Sequence, residues 1–156
     1  MKRAPNADGR PCPSTMAVEV ASVPIDEKSR RSGGPAPSRM HVLVAFEDEH
    51  RLYREVVTRI VRDLRPHLEA HVSEPDAIRA AIARLDPILV ICNRPNTVSP
   101  NGRPAWFELR NEPEGFGLLC IDGKYSQLPN PALDELLRAI DAAEELARAK
   151  EELGNC

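Results

Sequence analysis

At 156 residues, with 42% hydrophobic and 29% charged side chains, the chain has the length and composition of one globular domain with a tail. A net charge of −3 argues against generic nucleic-acid binding, which depends on neutralising phosphates, and no apolar run approaches the roughly 18 residues of a membrane span. Cys12, Cys92, Cys120 and Cys156 form no C-x-x-C pair and no metal-ligand spacing, and no apolar segment follows Lys2 and Arg3, so a cytoplasmic protein without secretory signal, metal or cofactor is expected.

Residues 1–39 are rich in Pro, Ser and Gly, and their best apolar stretch, Met16 to Ile25, is broken by Glu19 and Pro24. Such a segment buries too little to offset its ordering entropy, which predicts a disordered tail. Seven basic residues against four acidic ones make it net positive, but it carries no nucleic-acid recognition motif, and a solvated leader is the simpler reading. Met40, just before the first strand, stands where a chain limited to the domain would begin. The domain is expected over 40–156.

His41 to Phe46 is a continuous apolar run, as for a parallel strand buried on both faces. Leu52, Val56, Val57, Ile60, Val61 and Leu64 then recur at helical spacing until Arg65 and Pro66. Leu68, Ala70 and Val72 alternate with polar residues and predict a half-exposed edge strand. Ser73 is placed as the N-cap of a second helix with Ile78, Ala81, Ile82 and Leu85 on its apolar face. Ile88 to Cys92 predicts a second fully buried strand. The order β-α-β-α-β predicts a parallel sheet.

After a loop over 93–104, short strands are expected at Ala105 to Leu109 and Phe116 to Ile121. Asp122-Gly123 marks a hairpin turn returning through Lys124 to Leu128. A long C-terminal helix follows, with Asn130 as N-cap, Pro131 at its first position and an apolar face of Leu133, Leu136, Leu137, Ile140 and Ala147.

Val42 to Glu49, running into a helix with Arg51 to Glu55, together with Asp86 to Asn93, resembles the receiver domain of response regulators over about residues 40–93. The resemblance implies a flavodoxin-like, doubly wound parallel sheet. It also implies an acidic cluster after the first strand that binds magnesium and an aspartate closing the third strand that accepts phosphate. A Thr or Ser after the fourth strand and a Lys-Pro pair after the fifth would complete that chemistry. The sequence departs from it: Asn93 occupies the acceptor position, Thr97 and Ser126 do not directly follow a fourth strand, and Lys124 precedes Tyr125 rather than proline.

In open α/β sheets, ligands gather at the carboxyl ends of the strands. That rule makes Glu47, Asp48, Glu49, Asn93, Arg94 and Thr97 the candidate pocket. The acids have the oxygen ligands a hard cation needs, yet they equally suit the first turn of a helix, and no metal is assigned. His41, His50, His67 and His71 lack the spacing of a metal site; His41 reads as strand-start packing, and His50, beside Glu47, Asp48 and Glu49, as a surface residue in preference to an acid/base group. Trp106 reads as core or loop packing. The set supports no catalytic residue and no enzyme. It points to a degenerate, non-phosphorylatable receiver-like module acting by protein contact or self-association, with Leu146 and Ala147 as the interaction surface of the C-terminal helix. The alternative is an anion-binding domain in which Arg94 charges the loop from Asn93 to Thr97. Pairing of Arg94 with the acids would remove that alternative.

Overall fold

The computed structural model describes residues 39–98, 103–110 and 115–154. The expected tail lies outside the described residues except for Arg39, and so do Cys12 and Cys156.

The two long apolar runs become adjacent parallel strands, β1 (His41–Ala45) and β3 (Leu89–Cys92), with Val42 opposite Leu89. β2 (Glu69–Val72) pairs in parallel with the other side of β1 and forms one edge. The crossovers are α1 (Arg51–Leu64) and α2 (Ile78–Leu85). β4 (Ala105–Leu109) then adds in parallel beside β3, with no helix between them among the described residues. β5 (Phe116–Ile121) and β6 (Lys124–Pro129) continue the sheet as an antiparallel hairpin, and α3 (Leu133–Gly154) ends the chain.

The strand order is β2-β1-β3-β4-β5-β6. The parallel pairing expected for the β-α-β-α-β start holds and extends to β4, and the expected hairpin adds two antiparallel strands, giving a mixed sheet. At the hairpin, Asp122 (φ 50°) and Gly123 (φ 75°) both take the left-handed conformation that a two-residue I′ turn requires, so β6 folds directly back on β5.

Alternation along the strands builds two apolar layers. Val42, Val44, Leu89, Ile91 and Phe107 face α1 and α3, which contribute Val57, Val61, Leu136 and Ile140. Leu43, Ala45, Val90, Cys92 and Trp106 face the opposite side, covered by Ile78 and Ala81 of α2. The buried side of α3 is Leu136, Ala139, Ile140 and Ala143, whereas the expected Leu133 is about half exposed. On α1 only Val57 and Val61 of the predicted apolar set are fully buried; Leu52, Val56 and Leu64 stand exposed.

Two predicted caps are corrected. Ser73 does not cap α2: its hydroxyl donates to the Glu74 carbonyl (3.1 Å), and a 3₁₀ turn at Pro75–Ala77 precedes the helix. Pro75 lacks one of the N–H groups that a cap at Ser73 would satisfy. Asn130 does not cap α3 either. It takes a left-handed conformation (φ 47°) and its N–H is bonded to the Gly115 carbonyl, while the Glu135 carboxylate accepts from the Ala132 N–H at 2.7 Å. Glu135 thus supplies the backward half of a capping box.

The end of α1 is tied to α3 by a bidentate pair, Arg65 Nε to Asp141 Oδ1 at 2.6 Å and Arg65 Nη2 to Asp141 Oδ2 at 2.8 Å. Next to it, His67 Nε2 lies 2.9 Å from Oε2 of the buried Glu144, which also pairs with Arg148. Hydrogen bonding to the Arg65 guanidinium holds the Asp141 carboxyl below the ordinary carboxylate range. A depressed folded-state pKa contributes stability above the unfolded value of about 4, and the contribution is lost as pH falls through the folded value. Asp141→Asn is therefore expected to lower the urea midpoint at neutral pH, with the gap from wild type narrowing as pH falls below about 4. A gap that persists in acid would show that the charge pair is not its source.

Candidate functional site

The carboxyl ends of β1, β3 and β4 converge on one hollow of about 410 Å³, lined by Glu47, Glu49, His50, Asn93, Pro95, Glu108 and Arg110. Each lining residue is placed by a local feature. Glu47 leaves β1 and is followed by a 3₁₀ turn at Asp48–His50, which swings Glu49 and His50 over the strand ends before α1 begins. Asn93 is the first residue beyond β3. Glu108 lies on β4 directly beside Cys92 in the register, and alternation turns Phe107 and Leu109 toward α1 and α3 while Glu108 faces the other way.

Glu108 is the unusual member. Its side chain is only 3% exposed and pairs through Oε1 with Arg110 Nε at 2.7 Å. The Arg110 guanidinium also sits over the Phe116 ring, 4.7 Å from its centroid. Glu108 Oε2 is buried with no hydrogen-bond partner among the described residues, and the same holds for Asn93 Oδ1. Native interiors leave few such groups, because an unmet buried acceptor costs its full desolvation. The Asn93 amide nitrogen is 3.3 Å from His50 Nδ1, and ligand atoms of Glu47, Glu49 and His50 lie within 4.8 Å of one another. The hollow thus offers three carboxylates and an amide oxygen, an acceptor-rich surface suited to a cation or a donor-rich group.

Arg94 does not bring positive charge to a ligand. Its Nε and Nη2 both lie 3.0 Å from Glu47 Oε1, and its Nη1 lies 2.7 Å from Asp76 Oδ1. Those hydrogen bonds, to Asp76 and then Glu47, raise its pKa further. Its carbonyl accepts from Trp106 Nε1 (3.0 Å) and Cys92 Sγ (3.2 Å). Trp106 therefore packs in the core and also latches the loop. Burial pushes the Cys92 thiol up to about 12, which makes it an inert apolar residue.

Of the residues singled out from sequence, Glu47, Glu49 and Asn93 meet in the hollow. Asp48 is exposed and lies 3.5 Å from Arg54 Nη2 instead. Thr97 is exposed and borders a separate hollow with Asp76, Arg94 and Trp106. Leu146 and Ala147 are half-buried beside Ile88 and Ala105, around a space of about 20 Å³. His50, read as a surface residue, is half-buried in the site, and Glu108 and Arg110 were not foreseen. The one available signal was a glutamate inside the apolar run from Ala105 to Leu109. Another surface hollow, about 460 Å³ between α1 and β2, is lined by arginines already paired along the helix, Arg51 with Glu55 and Arg59 with Asp63.

No protein-family profile, curated protein or solved structure matches the chain.

The Glu108–Arg110 pair yields a stability prediction. Removing the partner of a buried charge costs more than removing both, so Arg110→Ala is expected to destabilise by on the order of 3 kcal/mol. Adding Glu108→Leu to that variant is expected to restore most of the loss in urea denaturation. Two single losses that merely add would show that the charges are not coupled.

Proposed function

We propose that this chain is a flavodoxin-like, receiver-like regulatory module that lacks phosphotransfer chemistry and acts through contact with a protein partner. The observation that carries the reading is the neutral amide of Asn93 at the end of β3, beside the acids Glu47 and Glu49. An amide neither attacks a phosphoryl group nor supplies the charge that holds a metal at such a site. The lysine that the resemblance calls for is also out of reach. Because β5 runs antiparallel to β4, the hairpin that carries Lys124 lies at the opposite end of the sheet from the hollow. The anion-binding alternative is disfavoured because Arg94 is committed to Glu47 and Asp76.

Contact with a partner is supported by α1. Val57 and Val61 satisfy its buried side, yet Leu52 and Val56, one turn apart, are 71% and 47% exposed, with Tyr53 exposed next to them. Apolar side chains grouped on a helix surface are the usual core of a helix-mediated contact. Leu146 and Ala147 are partly committed to packing within the chain, which leaves α1 as the more available surface.

Two experiments test the reading. Incubation with acetyl phosphate and magnesium is expected to leave the intact mass unchanged, and beryllofluoride is expected to leave the amide spectrum near Asn93 unchanged; an adduct would overturn the proposal. The double variant Leu52→Lys, Val56→Glu is expected to keep the unfolding free energy within about 0.5 kcal/mol of wild type, as for exposed positions. The same variant should abolish cross-links from α1 to a purified partner or a second copy. Cross-links that fall elsewhere and survive the change would exclude α1.

A further inference from the structure

Parallel pairing of β1 with β2 sets His41 opposite Glu69 and Leu43 opposite His71. Residues two apart on a strand share a face, so His41, Glu69 and His71 project together from the side of the sheet that Leu43 shares with α2. They stand at the start of β1, the opposite end from the acceptor-rich hollow. His41 Nδ1 and His71 Nε2 are 3.0 Å apart. The Glu69 carboxylate oxygens lie 3.8 Å from the first and 3.6 Å from the second. Both imidazoles are about one quarter exposed, so an ion has a path from solvent.

These separations decide the chemistry. A tetrahedral zinc ion bound at 2.0–2.1 Å holds its ligand atoms about 3.4 Å apart. The two imidazole nitrogens are 3.0 Å apart, and the two Glu69 oxygens each stand 3.6–3.8 Å from one of them. One ligand atom from each residue falls within 4.8 Å of the others. Two imidazole nitrogens and one carboxylate form a donor set of the kind zinc takes in open sites, with the fourth position left to water. We propose that His41, Glu69 and His71 form a binding site for a zinc-like divalent cation that clamps the edge strand β2 to β1. Nothing in the local spacing of the sequence announces it: the two histidines are thirty positions apart, and only the strand register unites them. The competing account is a direct N–H···N bond between neutral rings with Glu69 as a bystander, and it makes opposite predictions.

The test uses the full chain, freed of metal with a chelator and titrated with zinc chloride at pH 7.5. A single zinc ion per chain is expected, with the ¹⁵N resonances of His41 Nδ1 and His71 Nε2 shifting on binding, a readout on wild-type protein that needs no variant. His41→Gln and His71→Gln should each weaken binding at least ~100-fold, and Glu69→Gln about tenfold. Retention of the wild-type amide spectrum would show that each variant is folded. No zinc-dependent shift at either ring would overturn the proposal. So would zinc binding that is lost in His50→Gln but retained in His71→Gln, since the ion would then sit among Glu47, Glu49 and His50.

Discussion

One guanidinium ties together the carboxyl edge of this sheet. Arg94, just after β3, is bonded to Glu47 after β1 and to Asp76 after β2, while its carbonyl takes the indole N–H of Trp106 from β4. All four parallel strands therefore converge on a single residue. The ion pairs are partly exposed and individually weak, but they act between loops, as does Arg54, which reaches both Asp48 after β1 and Glu74 after β2. By occupying Arg94, they also remove the cation that stands beside the hollow from any role in holding a phosphate. What remains in the hollow is a surplus of acceptors, and the site's character follows from that subtraction.

The legible and illegible parts of this fold separate by the range of the interaction involved. β1 and β3 are plain in sequence because burial on both faces demands unbroken apolar runs, and the hairpin is plain because Asp122-Gly123 meets a specific backbone requirement. The caps of α2 and α3 depart from the local signal because Pro75 lacks an N–H for Ser73 to satisfy and Asn130 takes a left-handed backbone two residues ahead of the Ala132 N–H that Glu135 bonds. Glu47, Glu49 and Asn93 followed from the rule that ligands collect at strand ends. Glu108 did not, because a single acid in a short strand looks like ordinary alternation until the register sets it beside Cys92. Register is also what brings His41 to His71. Pairing between strands is a nonlocal property, and no spacing along the chain encodes it.

The polar groups at the two ends of the parallel strands differ in kind. At the carboxyl end, the acceptors are hard oxygens, two of them buried without a partner. At the amino end, imidazole nitrogens dominate and are already within bonding distance of each other. Oxygen-rich and nitrogen-rich donor sets select different cations, so the ends of the sheet are chemically distinct surfaces even though one layer of apolar side chains joins them.

The last strand bears on how the molecule meets its neighbours. β6 is an edge, and all of its residues except Leu128 are exposed, so its outer backbone groups resemble an open invitation to another strand. The strand is bracketed against that outcome. It opens on Lys124, which carries charge, and closes on Pro129, which has no N–H to donate, after which Asn130 turns the chain away with its left-handed φ of 47°. These are the devices by which natural sheets discourage edge-to-edge growth. At this edge, Lys124, Pro129 and the turn at Asn130 thus oppose extension of the sheet from one molecule to the next.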